Sequence, residues 1–103
     1  MLSDQEIAEL KSTHGRIAHV VGKGNAWEVV FRKPTRAEYK KFKADAANPA
    51  RQSDAQEMLA RSIVVHPSRE AFDALLEDYP AIPEASSSAI AELVGFGTEE
   101  AGK

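Results

Sequence analysis

In the last third of the chain every apolar run is short and stops at a proline or a glycine. Met58, Leu59, Ile63, Val64 and Val65 run into His66 and Pro67; Phe72, Leu75 and Leu76 lead to Tyr79 and Pro80; Ile90, Leu93 and Val94 reach Gly95. Proline lacks the amide that a helix interior requires and glycine weakens a helix, so this region reads as short helices packed on one another. At 103 residues the chain holds one core, large enough to stand without disulfides or metals and too small to divide. The expected organisation is a single domain over residues 1–97, with 98–103 as a flexible C-terminal tail that has nothing to bury.

The first half reads differently. Ser3 and Glu6 form a capping-box pattern ahead of Ile7 and Leu10, which predicts a helix running to about Thr13 and stopping at Gly15. Residues 16–21 and 26–32 are rich in β-branched and aromatic side chains and are joined by Gly22, Lys23, Gly24 and Asn25. Glycine and asparagine tolerate positive φ, so this composition predicts a β-hairpin. Its second strand should bury Trp27, Val29 and Phe31 and turn Glu28, Val30 and Arg32 outward.

Pro34 should end that strand, and Thr35 is placed to cap a second helix with Tyr39, Phe42 and Ala46 as its apolar stripe. Residues 47–53 read as a loop in which Ser53 can cap a third helix that carries on to Pro67. Ser68 should start a fourth helix, where Phe72, Leu75, Leu76 and Tyr79 recur at the i, i+3, i+4, i+7 spacing of one buried face. Pro80 and Pro83 bracket a tight connection, and 84–94 should form a fifth helix. The predicted class is therefore α+β and mostly helical: an N-terminal helix and a β-hairpin followed by about four short helices.

The same residues argue against chemistry. With no cysteine, a disulfide framework, a thiolate zinc site and a cysteine nucleophile are all excluded. His14, His19 and His66 lack metal-ligand spacing, and His66 is expected at a helix C-terminus, where the negative end of the dipole favours an imidazolium. Ser86, Ser87 and Ser88 have no nucleophile-elbow context and read as capping residues. Adjacent carboxylates such as Glu77 and Asp78 point about 100° apart on a helix and cannot share a site. Gly22 and Gly24 belong to the hairpin rather than to a phosphate loop. The expectation is a non-enzymatic protein with no cofactor and no metal.

Asp4, Glu6 and Glu9 interrupt the first ten residues, where a secretory leader needs a basic start and an unbroken apolar run. Nor does any segment approach the roughly 18 consecutive apolar residues of a membrane span. A cytoplasmic protein with no membrane partner is expected.

Charge is segregated. Residues 32–43 carry Arg32, Lys33, Arg36, Lys40, Lys41 and Lys43 against Glu38 alone, a local sum of +5, whereas residues 54–103 sum to −7. These six cations are the candidate binding residues. Beside two aromatics they could contact a nucleic-acid backbone, with binding that falls as salt rises. The acidic chain as a whole and the lack of a nucleic-acid-binding motif favour an acidic protein partner, leaving a small nucleic-acid-associated regulator as the alternative.

The strand over 28–32, its exit through Lys33, Pro34 and Thr35 into a helix, the valine-rich run to Pro67, the helix ending at Tyr79 and Pro80, and the closing Leu93, Val94, Gly95 and Phe96 occur in an order that resembles the small tail assembly chaperones of long-tailed bacteriophages and prophages. The resemblance spans roughly residues 27–97. It implies a protein of the bacterial host cytoplasm that binds the helical tape measure protein, keeps it soluble, assists assembly of the tail tube protein around it, and is absent from the mature virion. It also implies self-association along the client and, in many members, a longer form made by frameshifting, for which Gly102 and Lys103 can supply a slippery codon pair. The family transfers no catalytic residue to this sequence.

Overall fold

The structure, a computed structural model, describes residues 1–99 and 101. Helix α1 (Asp4–His14) begins with the full capping box: the Ser3 hydroxyl accepts from the Glu6 amide at 3.1 Å, and the Glu6 carboxylate accepts from the Ser3 amide at 3.0 Å. Gly15, at φ 78°, closes the helix by donating its amide to the Lys11 carbonyl. Strands β1 (Ile17–Val21) and β2 (Glu28–Arg32) then pair antiparallel, with Ala18 opposite Phe31 and Val20 opposite Val29. The connection is a tight turn in which Gly24 and Asn25 take φ of 66° and 59°, as the hairpin composition requires.

Strand β2 is central because a third strand, β3 (Val64–His66), pairs with its other edge. The expected continuation of the third helix to Pro67 is thereby corrected: α3 (Ala55–Ile63) ends at Ile63 and the chain turns extended at Val64. Two β-branched residues ahead of a proline disfavour the helix, and the unpaired edge of β2 supplies a ladder instead. His66 accordingly lies on a strand, not at a helix C-terminus. Val30, expected outward, is fully buried together with Val29 and Phe31. Amphipathic alternation fails here because both faces of the sheet are covered: α1 lies over the face that carries Glu28, Val30 and His66, with Leu2 and Leu10 beside His66.

The remaining helices form the other layer. Helix α2 (Arg36–Ala47) packs on α3, and α4 (Arg69–Asp78) follows with Ser68 as its cap. Ser53 does not cap α3; it sits inside a turn of 3-10 helix, and Asp54 occupies the cap position without a side-chain bond. The predicted fifth helix is two pieces, α5 (Ile82–Ala85) and α6 (Ser87–Leu93), broken at the fully buried Ser86. Pro83 is buried inside α5, in a first-turn position where its missing amide costs nothing. Tyr79, expected inward, is 38% exposed because α4 ends before it.

The core gathers Ala18, Val29 and Phe31 from the sheet with Leu59, Ile63, Phe72, Ile82, Ile90 and Leu93 from the helices. Phe31 and Phe72 meet edge to face at 6.0 Å, an arrangement that adds roughly 1 kcal/mol to their burial. Of the tail expected over 98–103, Thr98, Glu99 and Ala101 are exposed, and Glu100, Gly102 and Lys103 lie outside the described residues.

Candidate binding groove

The end of β2 and the start of α2 form one locked corner. Thr35 and Glu38 make a second capping box, with the Thr35 hydroxyl accepting from the Glu38 amide at 3.1 Å and the Glu38 carboxylate accepting from the Thr35 amide at 2.8 Å. Arg32 then donates two hydrogen bonds of 2.8 Å to the same carboxylate and a third of 3.1 Å to the Ser62 carbonyl at the end of α3. The Arg32 guanidinium is the main reason that the Glu38 carboxyl is held down to about 2. Arg32 is thus a joint between β2, α2 and α3.

Lys41 is also engaged. Its ammonium lies 2.7 Å from the Asp45 carboxylate, and Arg51 reaches the other carboxylate oxygen at 3.5 Å. Asp45 is only 3% exposed, a burial that an aspartate tolerates when it is paired. Lys41 foremost, then Arg51, keep its carboxyl below the ordinary range.

Arg36, Lys40 and Lys43 fall on one stripe of α2 together with Tyr39, at i, i+4, i+7 and i+3. Lys43 sits over the Tyr39 ring at 5.2 Å from its centre, the placement of a cation–π contact. Lys33 is exposed at the strand exit. Among the described residues Lys33, Arg36, Lys40 and Lys43 have no ion-pair partner. The structure therefore divides the six predicted binding residues: Arg32 and Lys41 serve the fold, and the other four present their charge to solvent.

Tyr39 also lines an apolar groove of about 240 Å³. Pro34 and Phe42 join it from the same segment, Leu59 from α3, Ile90 from α6, and Phe96 from the stretch after α6. Phe96 is 62% exposed, a large apolar side chain left in water beside a groove that is itself apolar. The cationic segment, and an apolar face left open by the last helices, are expected from the sequence; which residues line the groove is not, because its walls are up to 62 positions apart in the chain. The groove offers apolar contact and a hydroxyl from Tyr39, and Lys43 stands over the ring of that tyrosine, which suits binding of an apolar face with an acidic flank.

His19 Nε2 lies 2.7 Å from the Glu28 carboxylate, and among the described residues no hydroxyl hydrogen-bonds to a histidine ring. Burial pushes the Glu28 carboxyl up, but the bonds from His19 and from the Leu2 amide outweigh it and hold it below the usual range. Among the described residues no cluster of three or more metal-ligating side chains occurs, and no helix is long and apolar enough to cross a membrane.

Residues 10–103 match the family described as Domain of unknown function (DUF6848), and the chain belongs to that family. Among curated proteins none matches this sequence. The fold is similar to that of an uncharacterised protein from Bacillus stearothermophilus, with a TM-score of 0.74 and 22% identity over 94% of this chain and 99% of the other. That likeness establishes a shared fold.

Proposed function

We propose that this member of the family is a non-enzymatic phage or prophage tail assembly chaperone, working in the bacterial host cytoplasm without a cofactor. It binds the tape measure protein, keeps that long helical client soluble while the tail tube protein assembles around it, and leaves before the virion is complete. The observation that carries the reading is the apolar groove between Tyr39, Leu59, Ile90 and Phe96, with Arg36, Lys40 and Lys43 on the same helix as Tyr39. An amphipathic client helix lays its apolar face into such a groove and its flanking carboxylates toward the exposed cations of α2. Extended helical clients offer many such segments, so several copies bind one client.

The test is co-expression with the long helical protein encoded beside it. Co-purification in several copies per client, with the client soluble only in their presence, is the expected result. A well-expressed client that stays soluble alone and does not co-purify overturns the reading. Salt-dependent binding to nucleic acid that weakens with each removed cation would instead establish the regulator.

A further inference from the structure

Among the described residues the outer edge of β1 takes no further strand. In the β1–β2 ladder the Gly22 amide bonds to the Trp27 carbonyl at 2.8 Å, and directly bonded pairs alternate along an antiparallel ladder. With Val20 opposite Val29 and Ala18 opposite Phe31, the bonded positions of β1 are therefore 18, 20 and 22. The amides and carbonyls of Ile17, His19 and Val21 point away from β2, and no further strand takes them among the described residues. Unpaired edges of this kind invite a second strand unless they are blocked. No proline, lysine or bulge interrupts 17–21.

The two halves of this edge differ. Its first half, with Gly15, Arg16, Ile17 and His19, runs along an open cleft of about 770 Å³ walled by Lys11 of α1 and by Glu92 of α6. Its second half is bare: Val21 is 37% exposed and leads straight into the narrow glycine turn of the hairpin. We propose that two copies of this chain pair antiparallel along β1 about a two-fold axis at His19, joining their sheets into one of six strands.

This register is the one in which all three outward positions find partners, Ile17 with Val21 of the second copy, His19 with His19, and Val21 with Ile17. It covers each exposed Val21 with an isoleucine, and it seats the slim hairpin end of each copy in the walled half of the other. A foreign strand gains the same backbone bonds, but only a second copy supplies a bare end matched to the walled end twice over. The groove that carries the functional reading lies on α2, α3 and α6, so this pairing stands or falls independently of it.

The test uses the absence of cysteine. In this pairing the two His19 α-carbons lie about 5.5 Å apart, within disulfide reach, so His19→Cys should cross-link to itself under mild oxidation, whereas Lys23→Cys should not. By light scattering the unmodified chain should have twice its 11.2 kDa mass at tens of micromolar. Val21→Pro removes one outward amide while leaving the bonds to β2 in place, a substitution that edge strands tolerate; it should give a folded monomer, as should Val21→Lys. A monomer at millimolar concentration, or a dimer that survives both Val21 variants and fails to cross-link through His19→Cys, overturns the proposal.

Discussion

Arg32 and Glu38 close the corner between β2 and α2 with two parallel hydrogen bonds of 2.8 Å each, although five residues, Pro34 among them, lie between the two. The same carboxylate caps α2, so one side chain fixes both the strand exit and the helix start. This pairing converts the most basic segment of the chain from a uniform patch into a structural joint plus an exposed stripe.

Removing the joint should therefore destabilise the fold without acting at the groove. Arg32→Ala strands a half-buried carboxylate and should cost about 1–3 kcal/mol, read as a lower urea midpoint with an unchanged slope. Arg36→Ala, on the exposed stripe, should change stability by less than about 0.5 kcal/mol.

Acid should unfold the protein through the same carboxylates. Glu38 is held at about 2 by Arg32, and Glu6, Glu28 and Asp45 are also lowered, chiefly by the Ser3 amide, by His19 against opposing burial, and by Lys41. A group depressed in the folded state stabilises above its unfolded value and loses that contribution as pH falls through its folded value. Stability should be level above about pH 5 and fall steadily toward pH 2. Glu38→Gln should flatten the lower part of that curve in a chemical-denaturation series.

Reversing the stripe should separate binding from folding. Arg36→Glu, Lys40→Glu and Lys43→Glu combined should abolish co-purification of an acidic helical client and leave the far-UV spectrum unchanged. Phe96→Ala should weaken the same complex by about 1–3 kcal/mol through lost apolar contact.

Gly22 admits no side chain. A Cβ there would come within 2.5 Å of the Trp27 indole, so Gly22→Ala should displace the ring and cost about 1–3 kcal/mol. Trp27 is the one tryptophan, and a shift of its fluorescence maximum toward the exposed range would report the displacement directly.

Ser86 works in the opposite direction. Its hydroxyl is fully buried and has no hydrogen-bond partner among the described residues, so Ser86→Ala should be neutral or stabilise by up to about 1 kcal/mol. A loss of several degrees in Tm would contradict an unpaired hydroxyl at this position.

Elements with local causes were legible from the chain alone. Ser3 with Glu6, the Gly24–Asn25 turn, Thr35 after Pro34, and Ser68 ahead of Phe72 each carry their structural instruction within a few residues. The misread elements depend on distant partners. Val64–His66 is a strand because β2 has an open edge beside it, Val30 is buried because α1 crosses a face that alternation alone leaves in water, and the last helix breaks where Ser86 enters the core. At the site, the six cations could be counted in the sequence, but not sorted. Ion pairing and groove formation are decided by which side chains come together across space, as Arg32 meets the Ser62 carbonyl and Tyr39 and Phe96 line one groove.

Capping, turn geometry and periodicity act over the few residues that one turn or strand spans, so a small, mostly helical α+β chain with a hairpin near its start and a cationic segment at 32–43 follows from local sequence. The third strand, the two-sided burial of β2, and the division of that segment into a joint and an exposed stripe arise from contacts between distant parts of the chain. Those outcomes rest on hydrogen bonds and apolar contacts between residues tens of positions apart, whose free energy exists only once the chain has closed on itself.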